Sequence, residues 1–370
     1  MLFSRSRRVS RRFPLLAFAL VLSLPAACGK RRPPLPPIEN VPQRTELLSG
    51  VQRGNQVILS WPAPRRNAPE GSVQSIRRID IYRVAESADD PLPLTEEEFA
   101  SRATLIGSVP FSAIRNATED LTYEDTLTLN EPVRLRYALR YVNATGQRAA
   151  FSNFLLIEPA TRVSQPPTLL SVTNESETAV KVRWQTPPAN VDNSTPVNLL
   201  GYNIYRTDRS QNEPAQTPLN SALVNASEFN DQTFKFGEEY VYLVRAVSLG
   251  TGGAQVESLN SNALTIAPRD TFPPSAPRDI STAASITPRR LSLFFPANPE
   301  RDVAGYNLYR STDPNAPKDG WTKLNRTLLE RPTYQDDAVE SGKTYYYYLT
   351  AVDTAGNTSL PSEVVSDTVP

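Results

Sequence analysis

Across 370 residues the chain carries 39 basic and 39 acidic side chains, 34 prolines, one cysteine and no histidine. The lack of histidine excludes Ser-His-Asp and Cys-His nucleophile chemistry and every histidine-containing metal site; carboxylate-only catalysis and oxygen-ligand cation sites stay open. The balanced charge leaves no basic footprint for nucleic acid, and a single cysteine allows no internal disulfide, so the domains must be held by apolar cores.

The N-terminus sets Arg5, Arg7, Arg8, Arg11 and Arg12 ahead of the apolar run from Leu15 to Leu24, and then Pro25-Ala26-Ala27-Cys28. That run is shorter than the ~20 residues needed to cross a bilayer, and its flanks are those of an export signal. With two small residues directly before the only cysteine, the segment resembles a bacterial lipoprotein signal. The resemblance implies that residues 1–27 are removed and that Cys28 is acylated, with palmitate-type chains anchoring the protein to a membrane. Gly29 follows the cysteine in place of the aspartate associated with inner-membrane retention, which implies the outer membrane in a diderm host, facing the periplasm or the cell surface. The part from Cys28 onward keeps 34 basic against 39 acidic residues.

Residues 28–42 contain Lys30-Arg31-Arg32 followed by Pro33-Pro34-Leu35-Pro36-Pro37 and end at Pro42. Such a polyproline-type stalk is semi-rigid, spans ~3.1 Å per residue, and would place its cationic start against anionic headgroups.

The remainder repeats itself three times. Alternating runs ending in a large aromatic occur at Val57-Ile58-Leu59-Ser60-Trp61, Val180-Lys181-Val182-Arg183-Trp184 and Leu291-Ser292-Leu293-Phe294-Phe295. Each is followed by a tyrosine-rich strand: Ile79-Asp80-Ile81-Tyr82-Arg83, Tyr202-Asn203-Ile204-Tyr205-Arg206 and Tyr306-Asn307-Leu308-Tyr309-Arg310. An aromatic two residues before an aspartate comes next (Tyr123 and Asp125, Phe229 and Asp231, Tyr334 and Asp336), and then a long strand opening at Leu135, Tyr240 and Tyr345. Period-two alternation makes these segments strands, and a ~100-residue period with Pro, Gly and Asn turns suits a seven-strand antiparallel sandwich.

These residues resemble fibronectin type III domains. The resemblance implies an all-β chain: three antiparallel Greek-key β-sandwiches in tandem, over residues 43–163, 164–269 and 270–370. It also implies that Tyr240 and Tyr345 act as tyrosine corners, their hydroxyls bonded to nearby backbone, a role Leu135 cannot take in the first unit. Recurrence at fixed register marks Trp61, Trp184 and Phe295 as core.

Two features are not shared by the three units. Between Tyr82 and Tyr123 the first carries an acidic insertion in which Thr95 and Glu98 read as a capping box opening a short helix, with Glu96, Glu97 and Glu98 as a solvated helix start. The third carries Trp321, and its Tyr345-Tyr346-Tyr347-Tyr348 run must place two tyrosines on each strand face, Tyr346 and Tyr348 away from the core. Aromatic side chains supply large contact area at low entropic cost, so Trp321, Tyr346 and Tyr348 are the candidate binding residues.

The expectation is a non-enzymatic, lipid-anchored envelope protein that binds or spaces towards a protein or glycan, with no cofactor and no metal ligands. The alternatives are an accessory structural subunit of an envelope assembly and a carboxylate-based glycosidase. No feature of the sequence names the partner.

Overall fold

Period-two burial appears directly in the strands: along Gln56–Pro62 the buried positions are Val57, Leu59 and Trp61, with less buried residues between. The structure is a computed structural model that describes residues 41–64, 75–111, 120–128, 133–210 and 215–370. Cys28, the signal segment and most of the stalk lie outside the described residues.

The first sandwich contains β1 (Ser49–Arg53), β2 (Gln56–Pro62), β3 (Ile76–Glu86), helix α1 (Glu96–Arg102), β4 (Thr104–Pro110), β5 (Asp120–Thr126), β6 (Arg134–Asn143) and β7 (Leu155–Ile157). One sheet runs β1-β2-β5 and the facing one β4-β3-β6-β7. The second comprises β8 (Thr168–Ser176), β9 (Ala179–Gln185), β10 (Gly201–Asp208), β11 (Glu228–Asp231), β12 (Tyr240–Leu249), β13 (Gln255–Glu257) and β14 (Leu264–Ile266). Here β8-β9-β11 faces a sheet in which β12 pairs with β10, β13 and β14. The third is made of β15 (Ser281–Ile286), β16 (Arg289–Phe294), β17 (Val303–Ser311), β18 (Thr322–Lys323), β19 (Thr333–Asp336), β20 (Thr344–Asp353) and β21 (Val365–Thr368), arranged as β15-β16-β19 over β18-β17-β20-β21. The chain is a tandem array of fibronectin type III-like β-sandwiches.

Each sandwich has its own core, centred on Trp61, Trp184 and Phe295, which are 1%, 2% and 6% exposed. Trp184 meets Tyr202 edge to face at 5.2 Å, and Phe295 meets Tyr306 at 4.8 Å. The glycine opening the repeated Gly-Tyr-Asn strand has a steric cause. Gly201 and Gly305 hold φ of +154° and +156°, and a Cβ would come within 2.9 Å of Leu223 and 2.8 Å of Leu328, so a side chain is excluded there.

With no disulfide available, the sheets are tied by one polar arrangement repeated in every sandwich. Tyr137, Tyr242 and Tyr347 donate their hydroxyls to Asp125, Asp231 and Asp336 in the opposite sheet at 2.7, 2.6 and 2.8 Å. Arg83, Arg206 and Arg310 donate to the same carboxylate oxygens at 2.6, 2.5 and 2.8 Å. Each buried charge is thereby paired and hydrogen-bonded, which its burial requires. The tyrosine corners also form: the Lys235 N–H donates to the Tyr240 hydroxyl at 3.0 Å and the Glu340 N–H to the Tyr345 hydroxyl at 3.1 Å.

In the first two sandwiches an asparagine clamps the start of the opening strand to the run after β6 or β12. Asn153 accepts from the Leu48 N–H and donates to its carbonyl, and Asn262 does the same to Leu169. Glu363 follows Ser362 as Asn262 follows Ser261, and among the described residues no hydrogen bond joins it to Ile280. A groove of about 440 Å³ lies there instead, lined by Pro277, Ile280, Pro361 and Glu363 among others.

Candidate functional site

What the cores share, the outer faces do not. The surface formed by β3 and β6, β10 and β12, and β17 and β20, turned away from each core, is finished differently in each sandwich.

In the first, the insertion folds down onto this face. Thr95 caps α1, its hydroxyl accepting from the Glu98 N–H at 3.2 Å while Glu98 accepts from the Thr95 N–H at 2.8 Å, the reciprocal capping box that the sequence predicts. Phe99 is fully buried against Val84, Ala138 and Phe151, with Phe154 at 4.7 Å. Glu96 accepts from the Phe151 N–H at 3.0 Å and lies 3.7 Å from Arg140. The segment is therefore not only a solvated acidic start: one turn after the cap its aromatic is driven into an apolar seat. Beside it Glu86 is held by Arg136 through bonds of 2.8 and 3.0 Å and by Arg134 at 3.3 Å. The Arg136 bonds, opposed by burial, keep its carboxyl below the ordinary glutamate range.

In the second, Glu257 gathers the face. Its carboxylate accepts from Asn203 and Arg245 at 2.7 and 2.8 Å and from the Tyr205 hydroxyl, while the Arg245 guanidinium lies 4.1 Å above the Tyr205 ring. Burial opposes its charge, but these donors hold its carboxyl below its ordinary range.

The third carries the sequence-predicted binding residues. Tyr345 and Tyr347 enter the core, so Tyr346 and Tyr348 take the outer face. Trp321 joins them there at 5.1 Å from Tyr348, which stacks on Tyr309 at 4.7 Å and 10°. The rings form a packed set, not an open platform: Trp321 is 5% and Tyr348 4% exposed, and Tyr346 is the half-buried member. The Trp321 indole N–H donates to the Ala316 carbonyl at 3.0 Å, and the Lys318 ammonium sits 4.0 Å from the Trp321 ring and 4.4 Å from Tyr348. Burial lowers the Lys318 ammonium below its ordinary value, and the ring faces stabilise its charge. Two adjacent tyrosine pairs in the sequence pointed to this face; the turn that folds Lys318 over it gave no signal.

Sequence spacing gave no metal ligands, yet among the described residues the fold assembles a group of three carboxylates. The carboxylates of Asp270, Asp302 and Asp353 lie within 4.8 Å of one another, between the second and third sandwiches. They come from the linker, the loop before β17 and the end of β20, which share no motif spacing. Their oxygens are the hard donors a calcium-type cation uses.

No protein-family profile matches the chain. It is 27% identical over 332 residues to Exoglucanase B of Cellulomonas fimi, an alignment covering 88% of this chain and 25% of that protein, so the chain spans about a quarter of the length of that relative. Among solved structures it is similar to the chicken CNTN1 FN1–FN3 domains, with 15% identity over 89% of this chain and 99% of that one and a TM-score of 0.27. It is also similar to a Fn3-like protein from Clostridium thermocellum, with 27% identity over 27% of this chain and 96% of that one and a TM-score of 0.24. Among the described residues no helix is long and apolar enough to cross a membrane.

Proposed function

We propose that the chain is a lipid-anchored, non-catalytic module of the cell envelope that presents a contact surface to a protein or glycan and spaces it from the membrane. The observation carrying this reading is the contrast between interior and exterior. One triad recurs in all three sandwiches, whereas the outer faces carry a docked helix, an ionic network and an aromatic set. A repeated scaffold with divergent outer faces suits presentation, because surfaces freed from the demands of the fold are where contacts diverge. Cys28 supplies the anchor in this reading, and the third domain's outer face at Tyr346, with Trp321 and Tyr348 behind it, supplies the contact. The name of the Cellulomonas fimi relative, Exoglucanase B, makes glucan the first ligand class to test.

The test joins both halves. A fatty-acid analogue should label the wild type and not Cys28→Ser, and the protein should be retained on insoluble glucan or with an envelope partner, less so with Tyr346→Ala. Labelling that persists in Cys28→Ser removes the anchor. Turnover of a glucoside panel removes the non-catalytic reading, and a defined co-purifying complex makes the chain an assembly subunit.

A further inference from the structure

The two joints between neighbouring sandwiches are built on opposite principles. At the first, strand β1 of the first domain pairs in parallel with β13 of the second through Arg53 and Glu257, so that a single sheet runs from β10 to β5 across both domains. The Gly54 N–H donates to the Glu257 carbonyl at 2.7 Å. The Gln52 amide donates to the Ala160 carbonyl at 2.9 Å and accepts from its N–H at 2.7 Å. The Arg53 guanidinium lies 3.8 Å from the Glu257 carboxylate, and Ala160, Val163 and Val256 close a small apolar cluster beneath. Backbone pairing, a two-way amide clamp, opposite charge and buried apolar surface all act together.

Among the described residues none of these appears at the second joint. The β8–β9 turn, which occupies the place of the Arg53-Gly54 turn, carries Glu177. Its carboxyl is raised, by burial first and then by the charges of Asp302, Asp270, Glu300 and Asp353. Among the described residues none of these five acids forms an ion pair. Asn174 donates to the Arg269 carbonyl at 2.7 Å and Asn357 reaches the Asp270 carbonyl at 3.3 Å, so each domain holds the linker. Among the described residues no ladder or hydrogen bond runs directly from residues 168–266 to residues 281–370.

We propose that the chain is a two-body device: the first and second domains move as one rigid arm, and the third swings at Asp270, where facing acidic side chains keep the joint from closing. The arm arises because the single Arg53–Glu257 bridge, the Gln52–Ala160 clamp and the apolar cluster beneath must give way together before the joint bends; the swing arises because, among the described residues, the hydrogen bonds at the second joint run only to the linker. Hinges of this kind are a few residues that absorb the backbone change. The proposal holds whether or not Cys28 carries lipid.

Pulsed electron paramagnetic resonance on the full chain tests it. Cys28→Ser removes the one native thiol, and spin labels go at the exposed positions Leu92, Leu170 and Leu360, in chelator-treated buffer. The Leu92→Cys/Leu170→Cys pair should give one narrow distance distribution and the Leu170→Cys/Leu360→Cys pair a distribution at least twice as wide. Glu177→Lys should narrow the second and leave the first unchanged, and Arg53→Glu should broaden only the first. Equal widths at the two joints, or a second distribution that ignores Glu177→Lys, would overturn the proposal.

Discussion

Tyr347 donates its hydroxyl to Asp336 across the third sandwich at 2.8 Å, from the strand of one sheet to the strand of the other. Together with Arg310 on the same oxygen, it supplies a fixed inter-sheet tie in a chain that has a single cysteine. The bond recurs in the other two domains, so its energetics bear on the whole array.

Removing one hydroxyl from the triad should be felt at a distance from any surface. Tyr242→Phe leaves the ring in place and takes away a bond to a charged acceptor, a loss of about 1.5–3 kcal/mol. Urea denaturation of the full chain should show the second domain's transition moved to lower denaturant with its slope kept. A shift below 0.5 kcal/mol would show the bond to be energetically idle.

Acid should act on the second domain through Asp231. Burial opposes the charge of this carboxylate, but the Tyr242 hydroxyl, the Thr233 N–H and hydroxyl, and Arg206 outweigh it and hold it below the ordinary aspartate value. A depressed folded-state value contributes stability that is present above the unfolded value of ~3.9 and is lost as pH falls through the folded one. Stability should therefore drop below about pH 4 in the wild type and drop less steeply in Asp231→Asn, which a pH series of melts would resolve.

Alkali should act through the tyrosines. Burial first, and then the neighbouring carboxylates, push Tyr137, Tyr242 and Tyr347 far above their ordinary value. A raised folded value contributes stability that is present below the unfolded value of ~10 and is lost as pH rises past it. Spectrophotometric titration should show a group of tyrosines that ionise only when the domains unfold, in a single step coincident with loss of the β-type circular dichroism signal.

On the outer face of the third domain, the packing separates two roles. Trp321→Ala removes a buried ring with a satisfied indole N–H and should cost about 3–5 kcal/mol, so its effect on any ligand would be indirect. Tyr346→Ala, at a half-buried position, should cost under about 1 kcal/mol while weakening retention of a partner. Of the three candidate binding residues read from the sequence, Tyr346 is therefore the one whose removal separates binding from stability.

Breaking the Glu86 pair should be severe. Glu86→Ala leaves Arg134 and Arg136, each 4% exposed, without their carboxylate, and stranding buried charges costs about 3–5 kcal/mol. Calorimetry should show the loss in the first domain.

Strand positions, core aromatics and the Thr95 cap were legible because each is local: alternation, recurrence and a four-residue box need no knowledge of what lies across the sandwich. The triad was half visible. Its arginine ends each tyrosine-rich strand, its aspartate follows each aromatic by two, and its tyrosine sits two places into the long strand or its counterpart. Nothing local says that the three side chains meet. The parallel pairing of Arg53 with Glu257 joins residues in different repeats, and the group of Asp270, Asp302 and Asp353 draws on a linker and two loops; neither leaves a periodicity to read. The Lys318 turn was illegible for the same reason, since the burial of Trp321 depends on a loop folding back over its own strand.

The missing asparagine clamp in the third domain has a mechanical consequence. When the array is pulled from its two ends, the opening strand of each sandwich carries the load, and in the first two that strand is riveted on both its edges. In the third, among the described residues β15 is laced to β16 alone, with Glu363 where the rivet would be. Tension along the chain would peel that strand first, so the third domain yields while the first two keep their shape.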